Sequence, residues 1–311
     1  MERPLCGFET IGDGNKALDK FYLKLKSITQ YAMSIEIRQL EYDEKSLQDV
    51  CRLLQKVYPK TSKFTLEYIK WQYLENPNGK AIGFNAYDSD KVVAHYVGLP
   101  VRMMIFGKSL KGVVSINTAT HPDYRGRRLF YNLAQIQYDY LTKIGFDFSI
   151  GPANAQSTNS YLKNLGFYLI APLEVKVGFG EKIYGGMKNF ECYQQYDVPT
   201  LKWRLDNPQN KYCVKKGIIS SPLAGFAKTL SCIPSGDEDF KCWANDDNKK
   251  YTSRVNLYVG LGANLKNGMY FSLPKFVKHS PFNLVFRDLQ NALPRIKKED
   301  IFYQLIDFDV I

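Results

Sequence analysis

The sequence has little of what metal sites and disulfide scaffolds require. It contains three histidines and six cysteines among 311 residues, and no two cysteines form a C-x-x-C pair. Structural zinc sites need close pairs of such ligands, so we predict no metal. We expect the cysteines to be free, partly buried thiols. They are Cys6, Cys51, Cys192, Cys213, Cys232 and Cys242.

Long apolar runs are also missing from the sequence. No run reaches about 18 apolar residues, the length that a membrane-spanning helix needs. The first 32 residues carry scattered charge and no sustained apolar core, unlike a secretory signal. We therefore expect a soluble, cytoplasmic protein without a membrane span.

The net charge is +11, from 42 basic and 31 acidic residues. The Lys and Arg residues are dispersed along the chain, whereas nucleic-acid binding usually needs a concentrated basic face. We therefore expect no nucleic-acid partner. The excess of positive charge favours small anionic ligands instead.

The most informative stretch lies in the middle of the sequence. Residues 113–120 are apolar and β-branched, which predicts a strand. Pro122 and Gly126 then interrupt the strand pattern. Apolar residues recur at helical spacing from Leu129, and a second strand is predicted over residues 146–150. The stretch therefore predicts a strand, a turn, a helix and another strand.

The turn in this unit has the composition of an anion site. It contains Arg125, Gly126, Arg127 and Arg128 and leads directly into the predicted helix. A helix N-terminus presents unpaired N–H groups that attract phosphate, and arginines add matching donors. The alternative is a surface crossover whose arginines are only solvated.

A second motif follows the second predicted strand. Residues 154–167 predict a capped helix that ends at Gly166, with Asn154, Tyr161 and Phe167 at regular spacings. The basic turn and this helix together resemble the GNAT superfamily of acyl-CoA-dependent N-acyltransferases. The turn resembles the family's pyrophosphate-binding segment, usually written Val-x-Pro-x-Tyr-Arg-Gly-Lys-Gly. The helix resembles its Asn-x6-Tyr-x4-Gly-Phe segment.

Two residues depart from the family's pattern. Arg128 and Phe130 stand where the turn usually has small residues. A bulky side chain there could crowd the approach of the backbone to pyrophosphate, although a contact from Arg128 could compensate. This leaves open weak or altered cofactor binding, or a fold kept for interaction.

The resemblance implies an α/β (α+β) GNAT fold, with a mixed, mostly antiparallel sheet flanked by helices. It also implies transfer of an acyl group, most simply acetyl, from acetyl-CoA to a primary amine. Tyr161 would then be the general acid near the sulfur, and its alternative role is aromatic packing. The residues implied in cofactor binding are Thr118, Ala119, Thr120, Arg125, Gly126, Arg127, Arg128, Leu129 and Asn154.

The general base has several candidates. His95 lies in the middle of a predicted strand, and imidazole titrates near neutrality. Its alternative role is a hydrogen-bonded structural histidine. In some related tandem proteins the C-terminus approaches the active site. The resemblance therefore also implies Asp307, Asp309 and the Ile311 carboxylate as candidates.

The length predicts two domains after an extension. The predicted segments are an extension over 1–32, an acyl-CoA-binding GNAT domain over 33–180 and a degenerate GNAT-like domain over 188–311. A partial internal repeat supports the third segment, because Trp71 precedes Asn76-Pro77 much as Trp203 precedes Asn207-Pro208. The second half has no counterpart of the basic turn, so we expect it not to bind CoA.

The acceptor follows only from resemblance. The layout resembles GNAT proteins of bacterial surface-polysaccharide pathways, which implies an amino sugar or a nucleotide-linked amino sugar. One alternative is a peptide or protein N-acyl or aminoacyl transferase, and another is a catalytically inactive interaction module. The expected partner is a small-molecule amine, and the sequence leaves a homodimer open.

Overall fold

A computed structural model describes most of the chain. The described residues are 35–179, 190–215, 217–223, 227–232, 254–263, 269–273 and 282–308. The described helices are α1 (Glu44–Val57), α2 (Leu66–Leu74), α3 (Leu129–Lys143), α4 (Ala155–Asn164) and α5 (Val198–Leu205). The predicted extension over 1–32 lies outside the described residues.

Fifteen strands are described, and they form one mixed sheet. The first seven are β1 (Ile35–Gln39), β2 (Ile82–Asp88), β3 (Lys91–Ile105), β4 (Lys108–Thr120), β5 (Phe148–Ala153), β6 (Tyr168–Pro172) and β7 (Glu174–Phe179). The others are β8 (Cys192–Gln194), β9 (Cys213–Lys215), β10 (Ile218–Leu223), β11 (Ala227–Cys232), β12 (Val255–Leu261), β13 (Met269–Ser272), β14 (Asn283–Asp288) and β15 (Ile301–Gln304).

Most strand pairs in this sheet are antiparallel. The main path runs β6-β14-β5-β4-β3-β8-β15-β12-β11-β10-β9, and β1 and β2 extend from β3. The parallel pairs are β4 with β5, β8 with β15 and β11 with β12. Together with the flanking helices, this confirms the predicted fold class.

Strand β3 carries helices on both of its faces. Its alternate residues point in opposite directions. Ala94 and Tyr96 pack in the apolar cluster that contains α3, whereas Val97 and Leu99 pack in the cluster that contains α1 and α2. The sequence pattern predicts two strands here, over 92–99 and 102–106, but the structure has one continuous strand.

Pro100 explains this difference. It lies between the part of β3 that pairs with β2, which ends at Gly98, and the part that pairs with β8, which starts at Met103. A proline cannot donate to a strand ladder. Pro100 lies in the gap between β2 and β8 on one edge of β3, so its missing N–H removes no hydrogen bond to either strand. The strand can therefore continue through this proline.

Strands cross the predicted boundary between the two domains. β14 belongs to the second half, yet it lies between β5 and β6 of the first half and pairs with both. In the other direction, β7 pairs with β12 and β13. The boundaries at 180 and 188 stay a prediction, but the halves on either side of them share one sheet.

The two tryptophans of the partial repeat contact each other reciprocally across the two halves. Trp71 on α2 and Trp203 on α5 stack with ring centroids 5.0 Å apart. The indole Nε1–H of Trp71 donates to the carbonyl oxygen of Trp203 at 2.9 Å, and that of Trp203 donates to the carbonyl oxygen of Trp71 at 3.0 Å. The two tryptophans therefore join α2 to α5 symmetrically.

The similarity continues past the ends of both helices. Asn76 accepts a hydrogen bond from the backbone N–H of Asn78, and Asn207 accepts one from that of Gln209. Such turns are typical of asparagine. The tandem arrangement itself stays a prediction, since these contacts show only that two helix ends are alike.

Candidate active site

A cleft opens where β4 and β5 separate. The two strands pair only between residues 112–114 and 148–150, although both continue further. The cleft has a volume of about 860 Å³, and residues 115–120 of β4 form one wall. Residues of α4 form the facing wall, and Phe282 and Phe308 reach the cleft from the second half.

A bulge shapes the wall formed by β4. His95 of β3 pairs with Ala119 and Val97 pairs with Ile116, so one residue of β3 faces two of β4. Asn117 has a φ of 46° in this bulge, which is the left-handed region. Bulges are common next to active sites because they re-aim side chains and free backbone groups from the ladder.

The basic turn leads into a helix without a side-chain cap. Arg128 occupies the N-cap position of α3 with a φ of 58° and makes no capping hydrogen bond. The other four described helices each have a side-chain cap. Those caps are Asp43, Thr65, Asn154 and Asp197. The first N–H groups of α3 are therefore left for another acceptor, as an anion site requires.

The predicted cofactor residues divide into two groups. Those that line the cleft are Thr118, Ala119, Thr120, Arg125 and Asn154. Those that belong to the turn but not to the described lining are Gly126, Arg127, Arg128 and Leu129. The role of all nine in binding stays a prediction. Asn154 also has a structural role, because its side chain accepts a hydrogen bond from the N–H of Ser157 and caps α4.

The two departures from the family's turn both pack against aromatic rings. The guanidinium carbon of Arg128 lies 4.8 Å from the ring centroid of Tyr131. Phe130 packs edge-on against Tyr161, with ring centroids 5.6 Å apart. At Gly126, with a φ of 79°, an added Cβ would meet no heavy atom within 4 Å. The space beside this glycine is therefore open, whereas Phe130 belongs to the lining of the cleft.

Tyr161 lies in the wall of the cleft, and its role as the general acid stays a prediction. Its side chain is buried, and its hydroxyl oxygen lies 3.0 Å from that of Tyr96. Burial raises the pKa of Tyr161, so its phenol keeps its proton at neutral pH. A protonated hydroxyl on the wall of a cleft is what a general acid requires.

His95 does not lie in the described lining of the cleft. It is fully buried, with Nδ1 2.6 Å from Oδ1 of Asn85 and Nε2 2.9 Å from the hydroxyl of Tyr73. Burial lowers the pKa of His95 to about 3. The geometry therefore favours the structural alternative over the general base.

Replacing His95 by glutamine should flatten the pH dependence of stability between about pH 3 and pH 6.5. The buried ring stays neutral in the folded state down to about pH 3, whereas an unfolded chain binds the proton near pH 6.5. Because the unfolded state binds more protons, His95 makes stability rise with pH across this window.

The expected slope from His95 is at most about 1.4 kcal/mol per pH unit. Urea unfolding of both proteins at several pH values between 4 and 8 measures it, and the values at pH 8 correct for other effects of the substitution. Equal slopes in the two proteins would show that the ring titrates normally in the folded state.

The other base candidates also lie outside the described lining. Asp307 is buried and accepts hydrogen bonds from the hydroxyl of Tyr196 at 2.8 Å and the N–H of Gln304 at 2.7 Å. Burial raises the pKa of Asp307 to about 7. Asp309 and Ile311 lie outside the described residues.

Several cleft residues have no motif that could reveal them. Tyr58 follows α1, and its hydroxyl donates to the carbonyl oxygen of Thr118 at 2.5 Å. Asn117 donates from Nδ2 to Oε1 of Gln72 at 2.6 Å. These contacts join positions 45 to 60 residues apart in sequence, so no local pattern predicts them.

Comparisons with known proteins agree with this geometry. Residues 36–170 match the acetyltransferase (GNAT) domain family. Three solved structures are similar over most of the chain. A conserved protein of unknown function from Enterococcus faecalis has a TM-score of 0.55 and 10% identity, covering 83% of this chain and 73% of its own. GCN5-related N-acetyltransferases from Anabaena variabilis and Kribbella flavida have TM-scores of 0.54 and 0.51, each at 12% identity.

The two N-acetyltransferase structures cover 82% and 83% of this chain and 73% and 72% of their own. At these identities the similarity shows the fold, which is the GNAT fold. No curated protein matches the chain. The family match and the fold together support an acetyltransferase with acetyl-CoA as co-substrate. The link to polysaccharide pathways stays a prediction.

Metal ligands and membrane-spanning helices can be assessed for the described residues only. Within them, no group of three or more His, Cys, Asp or Glu side chains is arranged to hold a metal ion. Among the helices of this part of the chain, none is both long enough and apolar enough to cross a membrane.

Proposed function

We propose that the protein transfers an acyl group, most simply acetyl, from acyl-CoA to the primary amine of an amino sugar carried on a nucleotide. The observation that carries the proposal is the cleft between β4 and β5. It has an uncapped helix N-terminus with arginines at its edge and a buried tyrosine hydroxyl on its wall.

The turn and β4 would hold the acyl-CoA. The free N–H groups at the start of α3 and the guanidinium of Arg125 supply donors for pyrophosphate oxygens. Residues 118–120 line the cleft beyond the point where β4 last pairs with β5. Their backbone N–H and C=O groups can therefore bind the amides of an extended pantetheine chain.

Tyr161 would supply the proton that the leaving thiolate needs. In the proposed reaction the amine nitrogen forms a bond to the acyl carbon and the bond from carbon to sulfur breaks. The sulfur then takes the phenolic proton of Tyr161, and the nitrogen loses one proton. Positioning of the amine and protonation of the sulfur are thus the two tasks of the cleft.

The described lining of the cleft contains no Asp, Glu or His side chain. An acceptor that arrives as an ammonium ion therefore loses its proton to solvent or to a group outside this lining. Asp307 lies outside this lining and Asp309 lies outside the described residues, and the family resemblance implies both as candidates.

The charge of the cleft supports an acceptor with an anionic part. The charged side chains in its described lining are Lys63 and Arg125, and both are positive. The Nζ atom of Lys63 lies 5.4 Å from the ring centroid of Phe64, which also lines the cleft. A polyamine or a multiply charged amino sugar would be repelled there, whereas the diphosphate of a nucleotide sugar would be attracted.

Lys63→Ala should raise the KM for a nucleotide-linked amino sugar about tenfold, because one contact between charged groups contributes roughly 1.4 kcal/mol to binding. The KM for acetyl-CoA should change little. Thiol release from acetyl-CoA measures both constants. The acceptor panel contains a nucleotide-linked amino sugar, the free amino sugar, a dipeptide and a polyamine. Lys60→Ala, at an exposed position outside the lining, is the matched control.

The nucleotide-linked sugar should be the fastest acceptor of the panel. A preference for the dipeptide would support the peptide transferase instead, and a preference for the polyamine would contradict the charge argument. A rise only in the KM for acetyl-CoA would place Lys63 at the cofactor.

A further inference from the structure

Three hydroxyl groups lie close to Tyr161 without a place in the reaction described above. The hydroxyl oxygen of Tyr96 lies 3.0 Å from that of Tyr161 and forms a short hydrogen bond with that of Tyr138. Oγ of Ser115 lies 3.4 Å from both the Tyr96 and the Tyr138 hydroxyl oxygens. Tyr96 and Tyr138 are fully buried.

Three different elements supply the tyrosines of this cluster, and β4 supplies Ser115. Tyr96 lies on β3, Tyr138 on α3 and Tyr161 on α4. The rings of Tyr96 and Tyr138 meet edge-on with centroids 6.0 Å apart. Phe130 packs edge-on against Tyr96 at 5.5 Å and against Tyr161 at 5.6 Å. The hydroxyl groups of Tyr96 and Tyr138 are therefore held by packing and shielded from water, whereas Ser115 lines the cleft.

The hydrogen bonds among the three tyrosines can all be donated towards the cleft. Tyr161 lines the cleft, whereas Tyr96 and Tyr138 do not belong to its described lining. A phenol has one proton to donate. If Tyr138 donates to Tyr96 and Tyr96 donates to Tyr161, the proton of Tyr161 is left to point into the cleft.

Burial alone makes Tyr161 a weaker acid. It raises the pKa of Tyr161, because a phenolate in an apolar site has lost its water. A hydrogen bond that Tyr161 accepts from Tyr96 acts in the opposite direction. A donor behind the acid is therefore what this site needs for proton transfer.

A cation stands at the far end of the cluster. The guanidinium carbon of Arg287, on β14, lies 4.8 Å from the ring centroid of Tyr138. Its Nη1 is buried and has no hydrogen-bond partner among the described residues. Burial raises the pKa of Tyr138, and the charge of Arg287 opposes that rise. The positive charge thus favours a shift of negative charge from Tyr161 towards Tyr138.

We propose that Tyr96 is a positioning residue that acts through Tyr161. Its hydroxyl donates to the oxygen of Tyr161 and stabilises the phenolate that remains when Tyr161 gives its proton to the departing thiolate. Tyr138 donates to Tyr96 in turn. The inference rests on the proposed function. The phenolate of Tyr161 later recovers one proton from solvent, so each turnover moves one proton from the amine to the sulfur.

The test compares two small acetyl donors that differ in their leaving group. S-acetyl-N-acetylcysteamine leaves an alkyl thiolate that needs a proton, and phenyl thioacetate leaves a more acidic aryl thiol that does not. Tyr96→Phe should lower kcat/KM about tenfold to a hundredfold with acetyl-CoA and with the alkyl donor, the range for a hydrogen bond to a charged group. With the aryl donor it should change little.

Two further variants keep the inference testable. Tyr138→Phe should give a smaller loss of kcat/KM with the same dependence on the leaving group. This variant tests the inference even if the Tyr96 variant folds poorly. Tyr258→Phe is the matched control, because it removes a buried hydroxyl that donates to the carbonyl oxygen of Leu261 in the second half. It should leave both donors unaffected.

The outcomes separate this inference from the proposed function. Equal losses with the alkyl and aryl donors would mean that Tyr96 only holds the structure, and no loss would mean that it has no role. Either result overturns the inference while the transferase stands. A wild-type protein that releases no thiol from acetyl-CoA with any acceptor overturns both.

Discussion

A chain that stops after residue 187 is expected not to fold into a soluble protein, although it contains the whole predicted acyl-CoA-binding domain. The reason is β14, which pairs with β5 on one side and β6 on the other. Leu284, Val285 and Phe286 of this strand are buried, and the ring of Phe286 stacks on Phe148 with centroids 5.5 Å apart. Without β14, two strand edges and this core are exposed.

Expression of residues 1–187 alone and together with residues 188–311 as a separate chain measures this dependence. We expect aggregation of the first fragment alone and a soluble complex when both are present. A fragment of residues 1–187 that unfolds cooperatively and binds acetyl-CoA like the full chain would show that β14 is dispensable.

A point variant gives the same test within the intact chain. Phe286→Ala should lower the free energy of unfolding by about 3–5 kcal/mol, as for other buried phenylalanines. Phe271→Ala is the matched control on β13, because that side chain is 68% exposed, and it should change stability by less than about 0.5 kcal/mol.

Tyr161→Phe is expected to lower kcat by about 10²- to 10⁴-fold, the range for loss of a general acid. The ring keeps its edge-on contacts with Phe130 and Phe167, so the cleft keeps its shape. The affinity for acetyl-CoA should therefore be nearly unchanged.

Steady-state thiol release and a binding titration on the same preparation separate these two effects. Tyr258→Phe again controls for the loss of a buried hydroxyl. Full turnover by the Tyr161 variant would support the alternative that this residue is only an aromatic packing residue of α4.

Local patterns predict the elements that build the cleft. The apolar segment over 113–120 lies in β4, and the periodic segment from Leu129 is α3. Gly145 follows this helix with a φ of 75°, a conformation that favours glycine. These features depend on neighbours in sequence, so composition and spacing are enough to predict them.

Contacts between distant segments could not be predicted in this way. Nothing local in residues 283–288 indicates that they insert between β5 and β6, since any buried strand has the same alternation. The hydroxyls of Tyr96 and Tyr161 are 65 residues apart in sequence. For His95, the sequence shows a strand position but not the face, and the face decides between a base and a buried structural residue.

The proposed function depends on the cleft between β4 and β5 binding acyl-CoA through the turn that starts α3. Isothermal titration of the purified protein with acetyl-CoA tests it most directly, with an Arg125→Ala/Arg127→Ala double variant titrated in parallel. We expect saturable binding in the micromolar range by the wild type and its loss in the variant. No saturable heat from a wild-type protein that is demonstrably folded would contradict it.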